Sequence, residues 1–298
     1  MKNNLKKILG LMLALILVLA ACGNNQKEES GENNGEKAAS QTGTINVVSR
    51  EALSGTRGAF VEIVGIVDEK GDDATRVDAA IQSGTGNVIT QVSGDDHAIG
   101  YVSLGSVDKS VVKALVIDGV EATEGNVLSD KYAIQRPFLF VYKSEADLSP
   151  AAADFMKYAL SAEGQAVVVS EGYVTVDTEA PAFEVTPGLS GTVSITGSSS
   201  VSPLAEYWAD EYMDLNPDVI VNVQSSGSGT GIQEAMDGVN DIGMSSRELK
   251  AEETLESKSV ARDGIAVIVS PSNPVSEISL ENIKEIYLGN ITKWEELK

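Results

Sequence analysis

The chain has 298 residues, of which 42% are hydrophobic, and its 44 acidic and 22 basic residues give a formal net charge of −22. This length suits one large domain or two ordinary ones with a real core. The negative charge argues against nucleic acid or an anionic membrane face as a partner, and the single cysteine excludes a disulfide within the chain.

Residues 1–22 have the pattern of a secretory signal peptide. Three lysines precede an apolar run at 9–19 that is too short for an ordinary transmembrane helix. The run ends in Leu-Ala-Ala-Cys, which resembles the lipobox of bacterial lipoproteins and makes Cys22 the candidate lipidation site. A plain signal peptide with an incidental cysteine is the alternative. The polar, aperiodic residues 23–43 are predicted to form a flexible tether.

The next part of the chain alternates predicted strands and helices. Apolar β-branched and aromatic runs predict the strands, and amphipathic spacing predicts the helices. Strands are predicted at 44–49, 99–104, 114–117, 136–143 and 173–176, and helices from Ala59, at 75–93 with a glycine turn at 83–86, and at 150–170.

Residues 177–192 are predicted to link this block to a second one, because they hold two prolines, two glycines and three acids. The strands of the second block are predicted at 193–196, 219–224, 241–244 and 264–270, its helices at 203–215, 233–238, 279–288 and 292–297, and a solvated helix face at 248–256. The alternation predicts an α/β fold with mainly parallel sheets flanked by helices.

Three turns share one design, in which small hydroxyl-bearing residues connect a strand to a helix. They are SREALSGTRG at 49–58, TGSSSVSP at 196–203 and QSSGSGTG at 224–231. Free N–H groups and the dipole at a helix start attract anions, and hydroxyls add neutral donors. A serine N-cap explains any one turn by itself. The three together, with Arg50 and Arg57 in the first, predict an anion site that local dipoles can form despite the net charge.

Other chemistries lack their motifs. The turns lack the lysine of a nucleotide-binding P-loop, and the sequence has no suitable GxGxxG unit and no GxSxG serine. The one histidine, His97, offers no metal cluster and is interpreted as a solvated loop residue. Trp208 and Trp294 are interpreted as core residues. The sequence thus predicts no metal, no cofactor and no catalytic residue. The SGT triplets are not interpreted as a repeat, since their flanks differ at 54–56, 83–85, 190–192 and 228–230.

Segments spread over nearly all of 44–298 resemble the substrate-binding lipoproteins of phosphate ABC transporters. The likeness is carried by VVSREALSGTRGAF at 47–60, AIGYVSLG at 98–105, ITGSSSVSPLAEYWADEY at 195–212, VNVQSSGSGTGIQEAMDGVNDIGMSSREL at 221–249 and ITKWEEL at 291–297. The resemblance implies a type II periplasmic-binding-protein fold, whose two lobes close on one phosphate. It also implies a monomeric carrier rather than an enzyme, lipid-anchored at the extracytoplasmic face of the bacterial cell membrane, with ABC transporter permease subunits as partners.

The order of the blocks differs from the order that the resemblance implies. In the family the GSSSVSP block comes first, and the SREALSGTRG block follows the ITKWEEL helix. The exchange predicts a circular permutation, in which 177–192 joins the usual ends and the present ends lie close together. One lobe would comprise 138–265, including this linker, and the other 44–137 plus 266–298. The alternative is an unpermuted chain that pairs with another copy or a missing segment.

The resemblance implies that both lobes supply phosphate ligands. They are Ser200, the backbone of Val201, Ser202, Ser228 and Ser246 in one lobe, and Arg50, Ser54, Gly55 and Thr56 in the other. Arg50 can give forked, charge-assisted hydrogen bonds to phosphate oxygens. Arg57 is either a second cation of the site or the partner of an acid.

Two departures from the family pattern bear on selectivity. Ser246 stands where the best-known members have an acid that accepts a proton from phosphate, and Ala52 replaces another acid. Serine can accept or donate, so the rejection of sulfate should be weaker. Another oxyanion, such as sulfate or molybdate, is therefore an alternative ligand. A phosphoester hydrolase and a signalling or adhesion lipoprotein with a degenerate site are rival functions, although the first lacks its motifs and Arg50 argues against the second.

Overall fold

The computed structural model describes residues 41–297. The predicted signal peptide at 1–22 with Cys22, and most of the predicted tether at 23–43, lie outside the described residues. Gly43 N donates to Glu295 Oε2 at 2.7 Å, so the folded part begins slightly before residue 44. In the described range, no helix is both long enough and apolar enough to cross a membrane.

Strands and helices alternate along the described chain, which confirms the predicted α/β class. The strands are β1 (Asn46–Arg50), β2 (Ala80–Gln82), β3 (Ala98–Ser103), β4 (Lys113–Ala114), β5 (Val116–Ile117), β6 (Gln135–Tyr142), β7 (Gly191–Gly197), β8 (Val219–Ser225), β9 (Ile242–Ser245), β10 (Glu256–Val269) and β11 (Glu277–Ile278). The helices are α1 (Gly55–Val64), α2 (Thr85–Ser93), α3 (Glu124–Leu128), α4 (Pro150–Ala159), α5 (Ala162–Ser170), α6 (Ser202–Leu215), α7 (Ser228–Asp237) and α8 (Leu280–Leu288), with short 3₁₀ helices at Leu104–Ser106, Glu145–Asp147 and Trp294–Glu296.

Two predicted helices are wrong in part. Ala80–Gln82 form strand β2, which pairs in parallel with β1, because an open sheet edge offers backbone partners that the local pattern does not reveal. The helix predicted at 150–170 is two helices. Ser161 separates them, since its hydroxyl donates to Tyr158 O at 2.7 Å and accepts from Gly164 N at 3.2 Å as an N-cap.

Two other segments also differ from prediction. Residues 248–256 hold a turn and the first residue of β10 instead of a helix face. Residues 173–176 contribute one isolated bridge, Val174 to Arg262, instead of a strand. At 173–176 the pairing with a distant strand decides the conformation, which a local pattern cannot report. At 248–256 the Glu253 carboxylate accepts from Arg247 and from Lys250 N and so holds a turn.

Within residues 41–297 the main sheet is continuous and has the order β2-β1-β3-β10-β6-β9-β7-β8, with β4 also paired to β10. At both ends the pairing is parallel, as predicted: β1 pairs with β2 and β3, and β7 with β8 and β9. In the centre β10 and β6 run antiparallel to their neighbours. Strand β10 joins the two ends, because its residues 256–264 pair with β6 and its residues 265–269 with β3.

The buried apolar side chains form two sets that meet along β6 and β10. One set, the first core, lies between Phe138 and Ala261. The other, the second core, takes residues up to Ile134, then Val174, and again residues from Ile265 onward. Trp208 lies in the first core and Trp294 in the second, which agrees with their interpretation as core residues.

The two ends of the described chain lie side by side. Thr44 and Lys293 form an antiparallel bridge, and Ile45 N donates to Thr292 O at 2.8 Å. Trp294 N donates to Gly43 O at 3.0 Å. A circular permutation requires such proximity, and the permutation itself stays a prediction.

Candidate anion-binding site

The turn between β1 and α1 carries the first predicted half of the site. Ser54 has an extended backbone, and its hydroxyl accepts from Arg57 N at 3.3 Å as the N-cap of α1. Arg57 Nε lies 2.6 Å from Asp73 Oδ2, and its Nη1 donates to Arg50 O at 2.8 Å. Arg57 is therefore the partner of an acid and a support for the backbone of Arg50.

Arg50 is the buried cation of this turn, with 1% of its side chain exposed. Its Nε and Nη2 each donate to Glu51 at 2.8 Å, and Nη2 also donates to Ser199 Oγ at 3.0 Å. Burial acts to raise the pKa of Glu51, but the hydrogen bonds and charge of Arg50 outweigh it and lower that pKa. Glu51 thus supplies an acid one position before Ala52, which replaces the acid of the family pattern.

Hydroxyls from three turns, all buried except that of the half-buried Ser199, meet beside Arg50. Thr56 Oγ1 lies 3.0 Å from Ser200 Oγ. Thr85 Oγ1 lies 3.4 Å from Ser200 Oγ and 3.3 Å from Ser199 Oγ. These hydroxyls lie at or just before the starts of α1, α2 and α6, where helix dipoles favour negative charge.

A second group of hydroxyls lies against Gly55. Ser246 Oγ is 2.9 Å from Ser198 Oγ and 3.3 Å from Ser228 Oγ, and Ser246 N donates to Ser228 Oγ at 3.1 Å. A Cβ on Gly55 would lie 2.7 Å from Ser246 Oγ and 2.8 Å from Ser228 Cβ. Helix α1 can therefore approach these serines only because Gly55 has no side chain.

Helices α2 and α7 begin without a capping side chain. Their N-caps are Gly84 and Gly227, at φ values of 80° and 93° that favour glycine. Amide groups in an uncapped first turn depend on other partners, such as a ligand or a neighbouring carbonyl. Gly229 N uses the second kind, because it donates to Leu53 O at 3.0 Å.

The structure brings most of the predicted site residues together. Arg50, Gly55, Thr56, Ser200, Ser228 and Ser246 form one cluster with Thr85, Ser198 and Ser199, which is called the hydroxyl cluster below. Ser54 caps α1. Val201 N and Ser202 Oγ both donate to Ser198 O, at 3.1 and 3.0 Å, so they bond within their own turn.

The residue-by-residue prediction missed Glu51, Thr85, Ser198 and Ser199. The two serines belong to the GSSS motif, and Thr85 ends the SGT triplet at 83–85. That triplet lies between a strand and a helix, which was the signal for its place at the site.

A buried ion pair lies behind Ser246, and neither member was predicted to be near the site. Arg136 Nη2 is 2.9 Å from Asp263 Oδ2, with 1% and 0% of the two side chains exposed. Arg136 Nη1 donates to Ser246 O at 3.1 Å. Burial raises the pKa of Asp263 and lowers the pKa of Arg136, while the attraction within the pair opposes both shifts.

A cavity of about 260 Å³ adjoins the hydroxyl cluster. Ser199, which belongs to the cluster, and Glu51, which pairs with Arg50, both line this cavity, together with Leu53 and Gly227. Among residues 41–297, no group of three or more His, Cys, Asp or Glu side chains is placed to hold a metal ion. Neutral hydroxyls with one guanidinium suit a small oxyanion, which accepts many hydrogen bonds.

Comparisons with known proteins identify relatives over nearly the full length. The PBP superfamily domain matches residues 2–163 and 184–298. Phosphate-binding protein PstS 2 of Streptococcus pneumoniae serotype 4 is 43% identical over 285 residues, which cover 94% of each chain. Phosphate-binding protein PstS 2 of Streptococcus agalactiae serotype V is 43% identical over 287 residues, covering 94% of this chain and 93% of its own.

A solved structure agrees with this result. The crystal structure of a phosphate ABC transporter phosphate-binding protein from Streptococcus pneumoniae TIGR4 superposes with a TM-score of 0.70 at 43% identity, covering 86% of this chain and 100% of that chain. The streptococcal alignments run through almost all of both chains, so these relatives carry the sequence blocks in the same order. The match to the superfamily domain and the identity over nearly the whole length lead to one conclusion: the chain belongs to the PstS family of phosphate-binding proteins, within the PBP superfamily.

Proposed function

We propose that this protein captures inorganic phosphate outside the cytoplasm and delivers it to the permease of an ABC transporter. The observation that carries the proposal is the hydroxyl cluster, in which donors from the starts of α1, α2 and α6 meet beside Arg50 and Ser228, at the start of α7, lies against Ser246. The names of the relatives support phosphate as the ligand. The family consists of binding proteins and not enzymes, so the hydroxyls act as ligands.

The chemistry of the cluster accounts for anion binding by a protein with a net charge of −22. Arg50 supplies a positive charge at contact distance, although Glu51 shares it. The hydroxyls and the helix starts supply dipoles, whose effect is strong at short range in a buried site. The negative charges of the surface act through water and salt, which screen them beyond about 10 Å.

The proposed ligand set follows the family motifs. It comprises Arg50, Ser54, Gly55, Thr56, Ser200, the backbone of Val201, Ser202, Ser228 and Ser246. The contacts of Thr85 and Ser199 with Ser200 and Arg50 add these two hydroxyls to the proposal. Gly55 has the distinct role of letting the first turn of α1 reach the serines.

Closure around the ligand is proposed to bring two lobes together. One lobe comprises 138–265, and the other 44–137 with 266–298, which is close to the division between the two cores. Strands β6 and β10 connect the lobes and form the proposed hinge. Hinge closure around a ligand needs only a few residues that absorb the change in backbone angles.

The proposed setting is the outer face of the bacterial cell membrane. Lipidation of Cys22 would anchor the chain, with a tether that ends before the folded part. The protein is proposed to act as a monomer, because residues of both proposed lobes meet in the hydroxyl cluster within one chain. Residues 177–192 would be the connection created by circular permutation relative to other members of the family.

A second oxyanion is a specific alternative, and Ser246 is the observation that favours it. Its hydroxyl lies inside the cluster, where an acid would require a proton on the ligand. Serine imposes no such requirement. Sulfate, which carries no proton to donate, should therefore compete better than in proteins with the acid.

Isothermal titration calorimetry with phosphate, sulfate, arsenate and molybdate tests the proposal. The expected result is tight binding of phosphate at a stoichiometry of one, with arsenate close behind. Binding of sulfate or molybdate without binding of phosphate would overturn the assignment. A phosphatase assay with added divalent metals is the companion test, and sustained hydrolysis of a phosphoester would favour the enzyme alternative.

A further inference from the structure

Arg136 and Asp263 face each other where β6 and β10 pair, in the middle of the main sheet. The two residues are direct partners in the antiparallel register. Arg136 Nε and Nη2 both donate to Asp263 Oδ2, at 3.1 and 2.9 Å. Both side chains are buried. The pair therefore fills a central position between the two cores, and not a position on the surface.

The remaining nitrogen of the guanidinium reaches the hydroxyl cluster. Arg136 Nη1 donates to Ser246 O at 3.1 Å. On its other side Ser246 donates its amide to Ser228 Oγ and its hydroxyl lies in contact with Ser198 Oγ. The backbone of Ser246 is thus held between a buried guanidinium and the serines of the cluster.

The carboxylate of Asp263 accepts hydrogen bonds from the end of strand β3. Asp263 Oδ1 accepts from Ser103 Oγ at 2.9 Å and from Leu104 N at 3.1 Å. Ser103 ends strand β3, whose apolar side chains belong to the second core. One ion pair thereby connects the end of β3 to Ser246, which follows β9.

Building on the proposed function, we propose that Arg136 is a positioning residue of the anion site that acts through Ser246. Its guanidinium, fixed by Asp263, sets the orientation of the Ser246 peptide and so the direction of the Ser246 hydroxyl. Through Asp263 the same group ties this orientation to the end of β3, so the site is aligned when the two lobes adopt their closed arrangement.

The planar fork of arginine is what this role requires. Two nitrogens bond Asp263 while a third bonds Ser246, each in a fixed direction. A lysine at 136 would keep the charge but has one nitrogen at the end of a flexible stem, so it cannot hold both partners in the same geometry. Arg136→Lys therefore removes the geometry and retains the charge. Its effect on phosphate affinity distinguishes a positioning role from a purely electrostatic one.

Arg262 provides a matched control. It is the neighbour of Asp263 on β10 and pairs with Asp130, but its other contacts are Gln135 and Val127 O, away from the hydroxyl cluster. Arg262→Lys therefore changes an ion pair on the same strand without touching Ser246. Comparing it with Arg136→Lys isolates the contact of interest.

The test is titration calorimetry with phosphate, combined with thermal unfolding in the absence of phosphate. Arg136→Lys should bind phosphate at least about tenfold more weakly than Arg262→Lys, a loss of about 1.4 kcal/mol. The paired variant Arg136→Gln/Asp263→Asn removes both charges, leaves no buried charge unpaired, and should show the same loss. If it binds like Arg262→Lys, the proposal is wrong even where Arg136→Lys does not fold.

A double-mutant cycle with Ser246→Ala distinguishes a positioning role of Arg136 from a purely structural one, because it compares the effect of Arg136→Lys on phosphate affinity with and without the Ser246 hydroxyl. If Arg136 acts through the Ser246 hydroxyl, Arg136→Lys should weaken phosphate binding by less than about twofold in the Ser246→Ala background. Independent, multiplying losses would overturn the inference. Absence of phosphate binding by the unaltered protein would instead overturn the proposed function, so the two failures are distinguishable.

Discussion

The Thr56 hydroxyl lies 3.0 Å from the Ser200 hydroxyl, although 144 positions separate them in the chain. One belongs to the first turn of α1, which packs on the second core, and the other to the turn before α6, which packs on the first core. Parts of the chain with separate cores therefore meet through small polar groups. Such a contact can exist in one arrangement of the lobes and not in another.

Replacement of Arg50 should remove tight phosphate binding. Hydrogen bonds to a charged group contribute about 1.5–3 kcal/mol each, so Arg50→Ala should weaken binding on the order of a hundredfold or more. Titration calorimetry measures the change. Arg76→Ala is the control, because Arg76 pairs with the exposed Asp78 outside the cluster. An affinity of Arg50→Ala equal to that of the control would remove Arg50 from the site.

A methyl group at Gly55 should prevent the close approach of α1. Its carbon would lie 2.7 Å from Ser246 Oγ, so Gly55→Ala should lower the affinity for phosphate by at least about tenfold through a changed closed state. Small-angle scattering with saturating phosphate should show a less compact protein. Gly86→Ala is the matched control, since a Cβ there meets nothing within 4 Å. Equal affinities of the two variants would contradict the prediction.

Ser246→Asp should sharpen the choice between phosphate and sulfate. A carboxylate among the hydroxyls accepts a proton from phosphate but repels sulfate, which has no proton to offer. The ratio of the sulfate to the phosphate dissociation constant should rise at least about tenfold, or 1.4 kcal/mol. Competition calorimetry gives both constants, with Ser246→Asn as the uncharged control. An unchanged ratio would show that selectivity is set elsewhere.

Lower pH should weaken the stabilisation that the Arg50–Glu51 pair provides. Burial acts to raise the pKa of Glu51, but Arg50 holds it below its usual value of 4.5. A carboxyl with a lowered pKa in the folded state stabilises the fold above its unfolded pKa, and this stabilisation is lost as the pH falls through the folded pKa. Glu51→Gln should therefore be less stable than the unaltered protein near neutral pH and match it in strong acid.

Urea unfolding at a series of pH values tests this dependence. Glu69→Gln, at an exposed turn position, should follow the unaltered protein throughout. A stability difference of Glu51→Gln that is independent of pH would mean that shape and not charge is responsible.

Restoring the block order that the resemblance implies should leave a functional protein. Because Thr44 and Lys293 are already paired, a short glycine-serine linker can join the present ends, while a cut between Pro187 and Gly188 opens an exposed connection. The rearranged chain should bind phosphate within about threefold of the unaltered affinity. A matched control is a cut between Val141 and Tyr142, inside β6, which should abolish folding. Failure of the Pro187 variant to fold would contradict the predicted permutation.

The strand–turn–helix units that surround the hydroxyl cluster could be predicted from the sequence because each signal is local. Strand, hydroxyl-rich turn and helix follow one another within about ten residues, and Arg50 stands inside the first turn. Helix starts after parallel strands lie at one edge of a sheet, so the turns after β7 and β8 were expected to lie together. Their meeting with the turn after β1 depends on the antiparallel strands β6 and β10, which make the two parallel groups run toward each other. Strand β2 was missed because its pairing with β1 decides it. The break at Ser161 was missed because its capping serine lies inside a continuous helical pattern.

The pairing of Arg136 with Asp263 could not be predicted from local sequence patterns. Each lies in an apolar strand, where a charge looks like an exception without a partner. Only the register of β6 against β10 brings them together, and no feature of either strand alone states that register. Thr85 was missed for a different reason, because its SGT triplet was compared with others by flanking residues instead of by its place between a strand and a helix.

The continuity of β10 has a consequence for how the molecule comes apart. The strand passes from the first core, which includes Val260 and Ala261, into the second, which includes Ile265 and Val267, without a loop between them. Melting either core would strip partners from a strand that the other core also needs. The two cores should therefore lose their structure in one cooperative transition, and β2 and β8, at the outer edges of the sheet, should be the first strands to fray.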